Sequence, residues 1–100
     1  MGTDCTLKVD DKWHSLDRWY VFYPAFVSAR EQTVDEALGL IRQLKEVNKQ
    51  RVYRREYCDA WVESAEKLIK QGKNTITFYS EHDIPDEYIW QQFHEGNTDD

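Results

Sequence analysis

The stretch TVDEALGLIRQLKEVNKQRVYRREYCDAWVESAEKLIKQG, from Thr33 to Gly72, decides the fold of this 100-residue chain. It contains no proline and one internal glycine, Gly39, so helix can form along most of its length. Thr33 and Glu36, three residues apart, match the capping box that begins many helices. Gly72 stands among lysines, a pattern that predicts a helix end.

Two apolar stripes run through this stretch at helical spacing, and they differ in phase by about a quarter turn at 100° per residue. Residues 48–51 separate the stripes and carry no apolar side chain. We therefore predict two helices, at 33–47 and 51–71, with a break near Asn48. The alternative is one continuous helix of roughly 57 Å, at 1.5 Å per residue, which would need a partner chain to cover its drifting stripe. The first stripe contains Val34, Ala37, Leu38, Ile41, Leu44 and Val47, and the second contains Tyr57, Cys58, Trp61, Val62, Ala65, Leu68 and Ile69.

Before the helices, two β-prone runs predict a hairpin. Residues 5–9 alternate between apolar and polar side chains, which indicates a short strand. A turn of two aspartates follows, although the glycine favoured in such turns is missing. The second strand is predicted at 18–23, where aromatic and β-branched residues concentrate. Residues 25–32 are then a connector, which Phe26 and Val27 anchor to the core.

After the helices, residues 75–79 alternate in polarity and predict a third, half-buried strand. The acidic, proline-containing segment 83–87 is typical of a helix start, and the helix should run to about residue 95. Residues 97–100 should be frayed. The fold class is therefore α+β: a small three-stranded antiparallel sheet with a helical hairpin and a short C-terminal helix, in the order ββααβα, within a single domain spanning 1–100.

Trp61 lies at the centre of the second stripe, and this position predicts a core residue. We expect its side chain to face the sheet and to contact Phe22 and Phe78. A large aromatic residue exposed within such a stripe would instead mark a binding surface. The four Trp, six Tyr and four Phe residues can furnish a single core although the chain is polar on average.

No pattern in the sequence is typical of a catalytic or metal site, so we predict a protein that is not an enzyme and uses no cofactor and no metal. Cys58 lies in an apolar stripe, where a cysteine is usually a core residue. Cys5 stands beside Asp4, whose charge should raise the pKa of the thiol. A disulfide between Cys5 and Cys58 is left open. The lack of a leader pattern and of a long apolar run predicts a cytoplasmic protein with no membrane partner.

Charge is divided unevenly along the chain, whose formal net charge is −6. Residues 42–73 carry nine Lys or Arg against five Asp or Glu, whereas residues 74–100 carry seven acids and no Lys or Arg. Pairing between charged regions, or solvation of both faces, accounts for this division without any function. The alternative is that either surface meets a charged partner.

Two sets of residues are candidates for such a surface. The basic set contains Arg51, Arg54 and Arg55, with Tyr53 among them, and belongs to a basic stretch at 42–55. Arginine and tyrosine together are typical both of protein hot spots and of nucleic-acid surfaces. The acidic set follows the last strand, where an acidic surface could imitate the phosphates of DNA. Its members are Glu81, Asp83, Asp86 and Glu87.

The chain opens Met-Gly-Thr-Asp-Cys-Thr-Leu and continues with a Lys-Trp pair at 12–13 and Arg-Trp-Tyr-Val-Phe at 18–22. This opening resembles that of small phage and prokaryotic proteins of unassigned function, which begin Met-Gly-Cys-Asp-Ile-His and then show Lys-Trp and Arg-x-Tyr-x-x-Phe. Thr3 replaces the cysteine of that pattern, and Cys5 and Thr6 replace its Ile-His. The resemblance covers about the first thirty residues and implies a phage or mobile-element origin.

These observations predict a small acidic binding protein that acts by occupying the surface of a protein partner. A phage-encoded inhibitor of a host enzyme or defence complex, located in the host cytoplasm, is the form that the resemblance implies. The alternative is a nucleic-acid-binding accessory protein that uses the basic stretch 42–55, although the acidic net charge opposes phosphate. The chain is expected to be a monomer or a homodimer.

Overall fold

The computed structural model describes residues 3–19 and 27–88. They form an antiparallel sheet, a helical hairpin and the start of a C-terminal helix at residues 86–88, in the order βββααβα. The α+β fold predicted from the sequence is confirmed. The rest of the predicted C-terminal helix and the predicted frayed end, 97–100, lie outside the described residues. The other elements are β1 (Thr3–Val9), β2 (Lys12–Trp19), β3 (Glu31–Thr33), α1 (Val34–Lys49), α2 (Arg55–Lys70) and β4 (Thr75–Ser80).

The described strands form a sheet in the order β2-β1-β4-β3, and each neighbouring pair is antiparallel. Leu7 and Val9 of β1 lie level with Phe78 and Ile76 of β4, and all four residues are buried. They belong to the core that the sheet shares with the two helices. Because side chains alternate along a strand, Lys8 lies on the opposite face.

The predicted start of the second strand, at residue 18, is wrong. β2 begins at Lys12, directly after a two-residue turn, and residues 20–23 of the predicted strand lie outside the described residues. The tight turn is possible without glycine because Asp10 takes a positive φ of 54°, which aspartate tolerates better than most residues. The strand was hard to recognise because Leu16 and Trp19 are its buried residues and polar side chains fill most other positions.

The carboxylate of Asp10 connects this turn to the one that follows α2. Its Oδ1 accepts hydrogen bonds from the backbone N–H groups of Asn74 (2.7 Å) and Thr75 (3.1 Å), and its Oδ2 accepts one from Lys73 (3.0 Å). The backbone N–H of Asp10 in turn donates to the carbonyl of Thr75 at 2.8 Å. Led by the bonds from Asn74 and Lys73, these contacts lower the pKa of Asp10. The two turns therefore form one joint.

The structure adds a short strand, β3, to the three predicted ones. The sequence analysis places most of it in the connector 25–32, because its three polar residues show no apolar alternation. β3 pairs with β4 and is the edge strand on that side of the described sheet. Val27 is buried and so is anchored in the core as predicted, whereas Phe26 lies outside the described residues.

The helical stretch is divided into two helices, as predicted, rather than forming one continuous helix. The predicted capping box is present: the Glu36 backbone N–H donates to Thr33 Oγ1 at 3.1 Å, and the Thr33 N–H donates to Glu36 Oε1 at 3.0 Å. The break lies at residues 50–54, later than predicted. Asn48 belongs to the last turn of α1 and is fully buried, and its carbonyl accepts a hydrogen bond from the Arg51 backbone N–H.

The apolar stripes of both helices supply the core. Val47, predicted as part of the first stripe, is instead 40% exposed, because Asn48 takes the buried position in the last turn of α1. The remaining predicted stripe residues are buried or half-buried, and Leu40 joins them. The buried members are Ala37, Leu40, Ile41, Leu44, Cys58, Trp61, Val62, Ala65 and Ile69.

Trp61 is a core residue, as predicted. It is 3% exposed, and its ring centroid lies 4.4 Å from that of Trp19 and 6.3 Å from that of Phe78. Phe78 is an expected partner, Trp19 was not foreseen, and Phe22 lies outside the described residues. The indole Nε1 of Trp61 donates a hydrogen bond to the Asp17 carbonyl at 2.6 Å, so its polar atom is satisfied as well.

Gly72 lies just after the end of α2 at Lys70, as predicted. The reason for a glycine at this position differs from the predicted one. Its φ is not positive, so it is not the left-handed residue that often ends a helix. A Cβ atom at this position would lie 2.9 Å from both Ile76 Cδ1 and Val9 Cγ1. Glycine is required because the chain passes close to two core side chains.

Candidate binding surface

The connection between the two helices exposes apolar surface. We call residues 51–55 the hairpin tip. Val52 is 96% exposed and Tyr53 is 66% exposed, while most other large apolar residues of the described chain are at least partly covered. An open groove of about 500 Å³ adjoins the tip and is lined in part by Val52, Arg54 and Tyr57. Apolar groups presented to solvent beside charged ones are a common feature of protein-binding sites.

Arginines hold Tyr53 in place from two sides. The Arg51 Nε donates a hydrogen bond to the Tyr53 carbonyl at 3.2 Å, and the Arg54 Nε donates one to the Tyr53 Oη at 2.9 Å. The Arg54 guanidinium carbon also lies 5.2 Å from the centre of the Tyr53 ring, which is cation–π distance. The structure therefore brings together three of the four basic-set residues predicted from the sequence.

The backbone of the tip contains an unfavourable conformation. Arg54 is the N-cap of α2 with φ 55° and ψ 33°, in the left-handed region. This region costs a non-glycine residue on the order of 1–2 kcal/mol. Among the described residues, the Arg54 side chain makes no capping hydrogen bond to the first turn of α2. The stabilisation that an N-cap side chain usually gives a helix is therefore missing as well. Such outliers concentrate at functional sites.

Other members of the basic stretch are paired with acids. Lys45 of α1 forms a 2.8 Å ion pair with Glu66 of α2, and it thereby joins the two helices. Lys49 pairs with Glu46 at 2.8 Å within α1, and Arg55 lies 3.8 Å from Asp59 within α2. The stretch 42–55 is therefore not a continuous row of unpaired positive charges.

Two members of the acidic set take part in local structure. The Asp83 Oδ2 accepts a hydrogen bond from Ser80 Oγ at 3.1 Å, and hydrogen bonds from Ser28 and Ser80 lower the pKa of Asp83. Glu87 lies 3.8 Å from Lys8, which faces away from the helices. The Asp83 hydrogen bond fixes the turn after β4, whereas the exposed Glu87–Lys8 pair adds little stability.

The other two acids face solvent. Glu81 has the His82 imidazole 3.8 Å away, and Asp86 is exposed in the first turn of the C-terminal helix. The Glu87 side chain is itself 67% exposed, so Asp83 is the member of the acidic set that hydrogen bonds fix in local structure. The contacts of the acidic set give no reason to treat the four residues as one site.

An aromatic cluster, which the sequence analysis did not identify, covers the sheet face opposite the helices. The Trp13 ring lies 4.8 Å from that of Tyr88 and 5.4 Å from that of Tyr79. The Lys8 ammonium lies 4.9 Å from the Trp13 ring centre. This cluster attaches the start of the C-terminal helix to the sheet and explains why Tyr88 is buried. In the sequence, Trp13 lies between the polar residues Lys12 and His14, and this alternation could have indicated a strand with an aromatic residue on its second face.

Val52 is the tip residue that the sequence analysis missed. It belongs to neither apolar stripe and lies between Arg51 and Tyr53 in the sequence. An apolar residue outside both stripes has no place in the core, and that mismatch was the signal that could have identified it.

Both cysteines are buried, and no disulfide joins them. Burial, with smaller contributions from Asp4 and Glu81, raises the pKa of the Cys5 thiol to about 12. Burial also raises the pKa of Cys58. Across residues 3–19 and 27–88, no three His, Cys, Asp or Glu side chains gather closely enough to hold a metal ion. None of the helices in those ranges is both long and apolar enough to cross a membrane.

Comparisons with family models, with curated proteins and with solved structures produced no match to this chain.

Proposed function

We propose that this protein is a non-enzymatic binding protein whose hairpin tip occupies an acidic surface on a protein partner. The observation that carries the proposal is the exposure of Val52, at 96%, in a loop that also presents Tyr53, Arg51 and Arg54. Tyrosine and arginine are among the residues that contribute most to binding energy at protein interfaces. Val52 would enter an apolar recess, and the arginines would meet carboxylates around it.

The conformation of the tip supports this proposal. Its contacts restrict Tyr53 before any partner arrives, which reduces the entropy lost on binding. The left-handed Arg54 costs stability, and a gain in binding would explain why the residue is neither glycine nor asparagine. An inhibitor encoded by a phage is the form of this function that the N-terminal resemblance favours.

The ion pairs along the helices favour a protein partner over nucleic acid. Phosphate binding depends on several cations that can each neutralise a phosphate. Lys45, Lys49 and Arg55 already have carboxylates within 4 Å. A protein partner needs only the few residues of the tip.

The proposal is tested with a matched pair of valine variants. Val52→Ser removes the exposed apolar group of the tip, and Val47→Ser makes the same change at a partly exposed site on α1. Affinity capture from a bacterial lysate, with quantitative mass spectrometry, should recover one stoichiometric protein with wild type and Val47→Ser. Recovery should fall at least about tenfold with Val52→Ser, as expected when an interface hot spot is lost.

A second pair tests the charge. Arg54→Ala should weaken capture, whereas Arg42→Ala, an exposed arginine on α1, should not. Equal capture by all four variants and wild type would contradict the proposal. A salt-sensitive shift of a single-stranded DNA or RNA 20-mer that both arginine variants reduce would assign the surface to nucleic acid instead.

A further inference from the structure

A second feature, distant in sequence from the hairpin tip, lies between the sheet edge and α1. An open groove of about 370 Å³ separates β3 from the first turns of α1. Its lining includes Val27, Arg30, Gln32, Glu36, Gly39 and Leu40. We call it the edge groove. Its members come from the connector, the edge strand and one face of α1, so it forms only when the chain is folded.

Gln32 supplies the observation that indicates a ligand. The residue is 5% exposed, and its Nε2 atom has no hydrogen-bond partner among the described residues. Buried donors are nearly always paired, since an unpaired one loses its hydration without compensation. Gln32 is among the residues that line the groove, so a bound group with an acceptor oxygen that reached the buried Nε2 atom could complete its hydrogen bonding.

The charges of the edge groove identify the class of ligand. Arg30 and Glu36 carry opposite charges on the same lining, and Arg30 is close enough to contribute, after the hydrogen bonds from Thr33, to the low pKa of Glu36. Their sum is zero, so the groove favours neither a phosphate nor a metal cation. A neutral group with both an acceptor and a donor matches it best, and the peptide unit is such a group.

The position beside an edge strand favours an extended peptide. β3 pairs with β4 on one side and is the last strand of the described sheet on the other. Extended peptides bind such edges by adding a strand. Gly39 leaves space for the added chain, because among the described residues a Cβ atom there would contact only the Arg42 side chain, at 3.6 Å.

We propose that the edge groove binds an extended, uncharged peptide segment of a protein partner, with a peptide carbonyl accepting a hydrogen bond from Gln32 Nε2. The segment lies along β3 and passes over Gly39. The site is separate from the hairpin tip in its residues and in its chemistry, so either one can fail without the other.

The test uses the blocked peptide Ac-Thr-Val-Thr-Val-NH₂ and NMR of the full-length, ¹⁵N-labelled protein. Titration to millimolar concentration should shift the Gln32 side-chain NH₂ signals and the Gly39 backbone signal along one saturable curve. A peptide with N-methylated backbone amides should not produce these shifts, because it cannot pair as a strand. Absence of saturable shifts with the first peptide overturns the proposal.

Two variants examine the role of the groove residues. Gln32→Met keeps the shape but removes the donor, and it should weaken peptide binding about tenfold. Gly39→Met fills the groove while improving helix propensity in α1, so it should abolish binding in a folded protein. Peptide binding by both variants at wild-type affinity overturns the proposal. Capture through the hairpin tip should be unchanged in Gly39→Met.

The melting temperature of the free protein gives a further readout. Gln32→Met should melt at a higher temperature than wild type, because an unpaired buried donor is removed, whereas the exposed Gln71→Met should melt as wild type does. A lower melting temperature for Gln32→Met shows that Gln32 is satisfied within the fold and contradicts the premise. The NMR signals of Gln32 could also change with protein concentration when no peptide is present. That result would assign the groove to a second copy of the chain and overturn the proposed occupant.

Discussion

At the scale of single residues, the stability of the core depends on a pair of indole rings. Trp61 contacts Trp19 and Phe78 and donates a hydrogen bond to a backbone carbonyl. Trp61→Ala should therefore lower the free energy of unfolding by about 3–5 kcal/mol, a large part of the total for a domain of this size. Urea unfolding followed by far-UV circular dichroism measures this loss. The exposed Tyr53→Ala is the control and should change stability by less than about 0.5 kcal/mol.

Glycine has two different roles in this chain, and they predict opposite effects of alanine. Gly72→Ala places a Cβ 2.9 Å from two core side chains and should destabilise the fold by about 1–3 kcal/mol. Gly39→Ala adds a Cβ in ordinary contact with the Arg42 side chain, at 3.6 Å, and should stabilise α1 by about 0.5–1 kcal/mol. Thermal unfolding of the two variants distinguishes these effects. A Gly72→Ala protein as stable as wild type would show that the core side chains can move aside without cost.

At the scale of elements, the joint between the β1–β2 turn and the α2–β4 turn depends on the charge of Asp10. Its pKa is lowered from 3.8 in the folded protein, so it stabilises the fold fully above the unfolded pKa and loses this effect as the pH falls through the folded pKa. Asp10→Asn should therefore melt at a lower temperature than wild type at pH 7. The difference in melting temperature between Asp10→Asn and wild type should become smaller below about pH 4 and then disappear.

The neighbouring acid of the same turn provides the control for this measurement. Asp11→Asn changes an exposed carboxylate by the same chemistry, and it should lower the melting temperature less than Asp10→Asn does. Melting curves at half-unit steps from pH 7 to pH 2 give the comparison. A difference between wild type and Asp10→Asn that stays constant over this range would mean that the turn is held by geometry and not by the charge.

At the scale of the whole molecule, the two cysteines report on the integrity of one shared core. Both are buried thiols with raised pKa values, that of Cys5 about 12. Native protein should therefore react negligibly with Ellman's reagent at pH 8, and both thiols should react together once guanidinium unfolds the chain. Ser64→Cys places a thiol on the exposed face of α2 and should react at once. Rapid reaction of Cys5 or Cys58 in native protein would indicate local opening.

The helical hairpin, its capping box and the core position of Trp61 follow from the sequence, because they depend on spacing within about 40 contiguous residues. The strand at β4 is also evident from its alternation. Local propensity and periodicity are sufficient in each case, since neighbouring residues set both the backbone conformation and the buried face. The same local information identified Arg51, Tyr53 and Arg54 as a group.

Only the tertiary structure decided the position of β2, the existence of β3 and the roles of the glycines. β2 begins where it does because Asp10 binds a turn more than 60 residues away in sequence. β3 has no pattern of its own and exists because β4 offers it a partner. The edge groove and the exposure of Val52 likewise depend on which surfaces the fold leaves uncovered. Contacts between residues distant in the chain determine these features, and periodicity within a single segment does not reveal them.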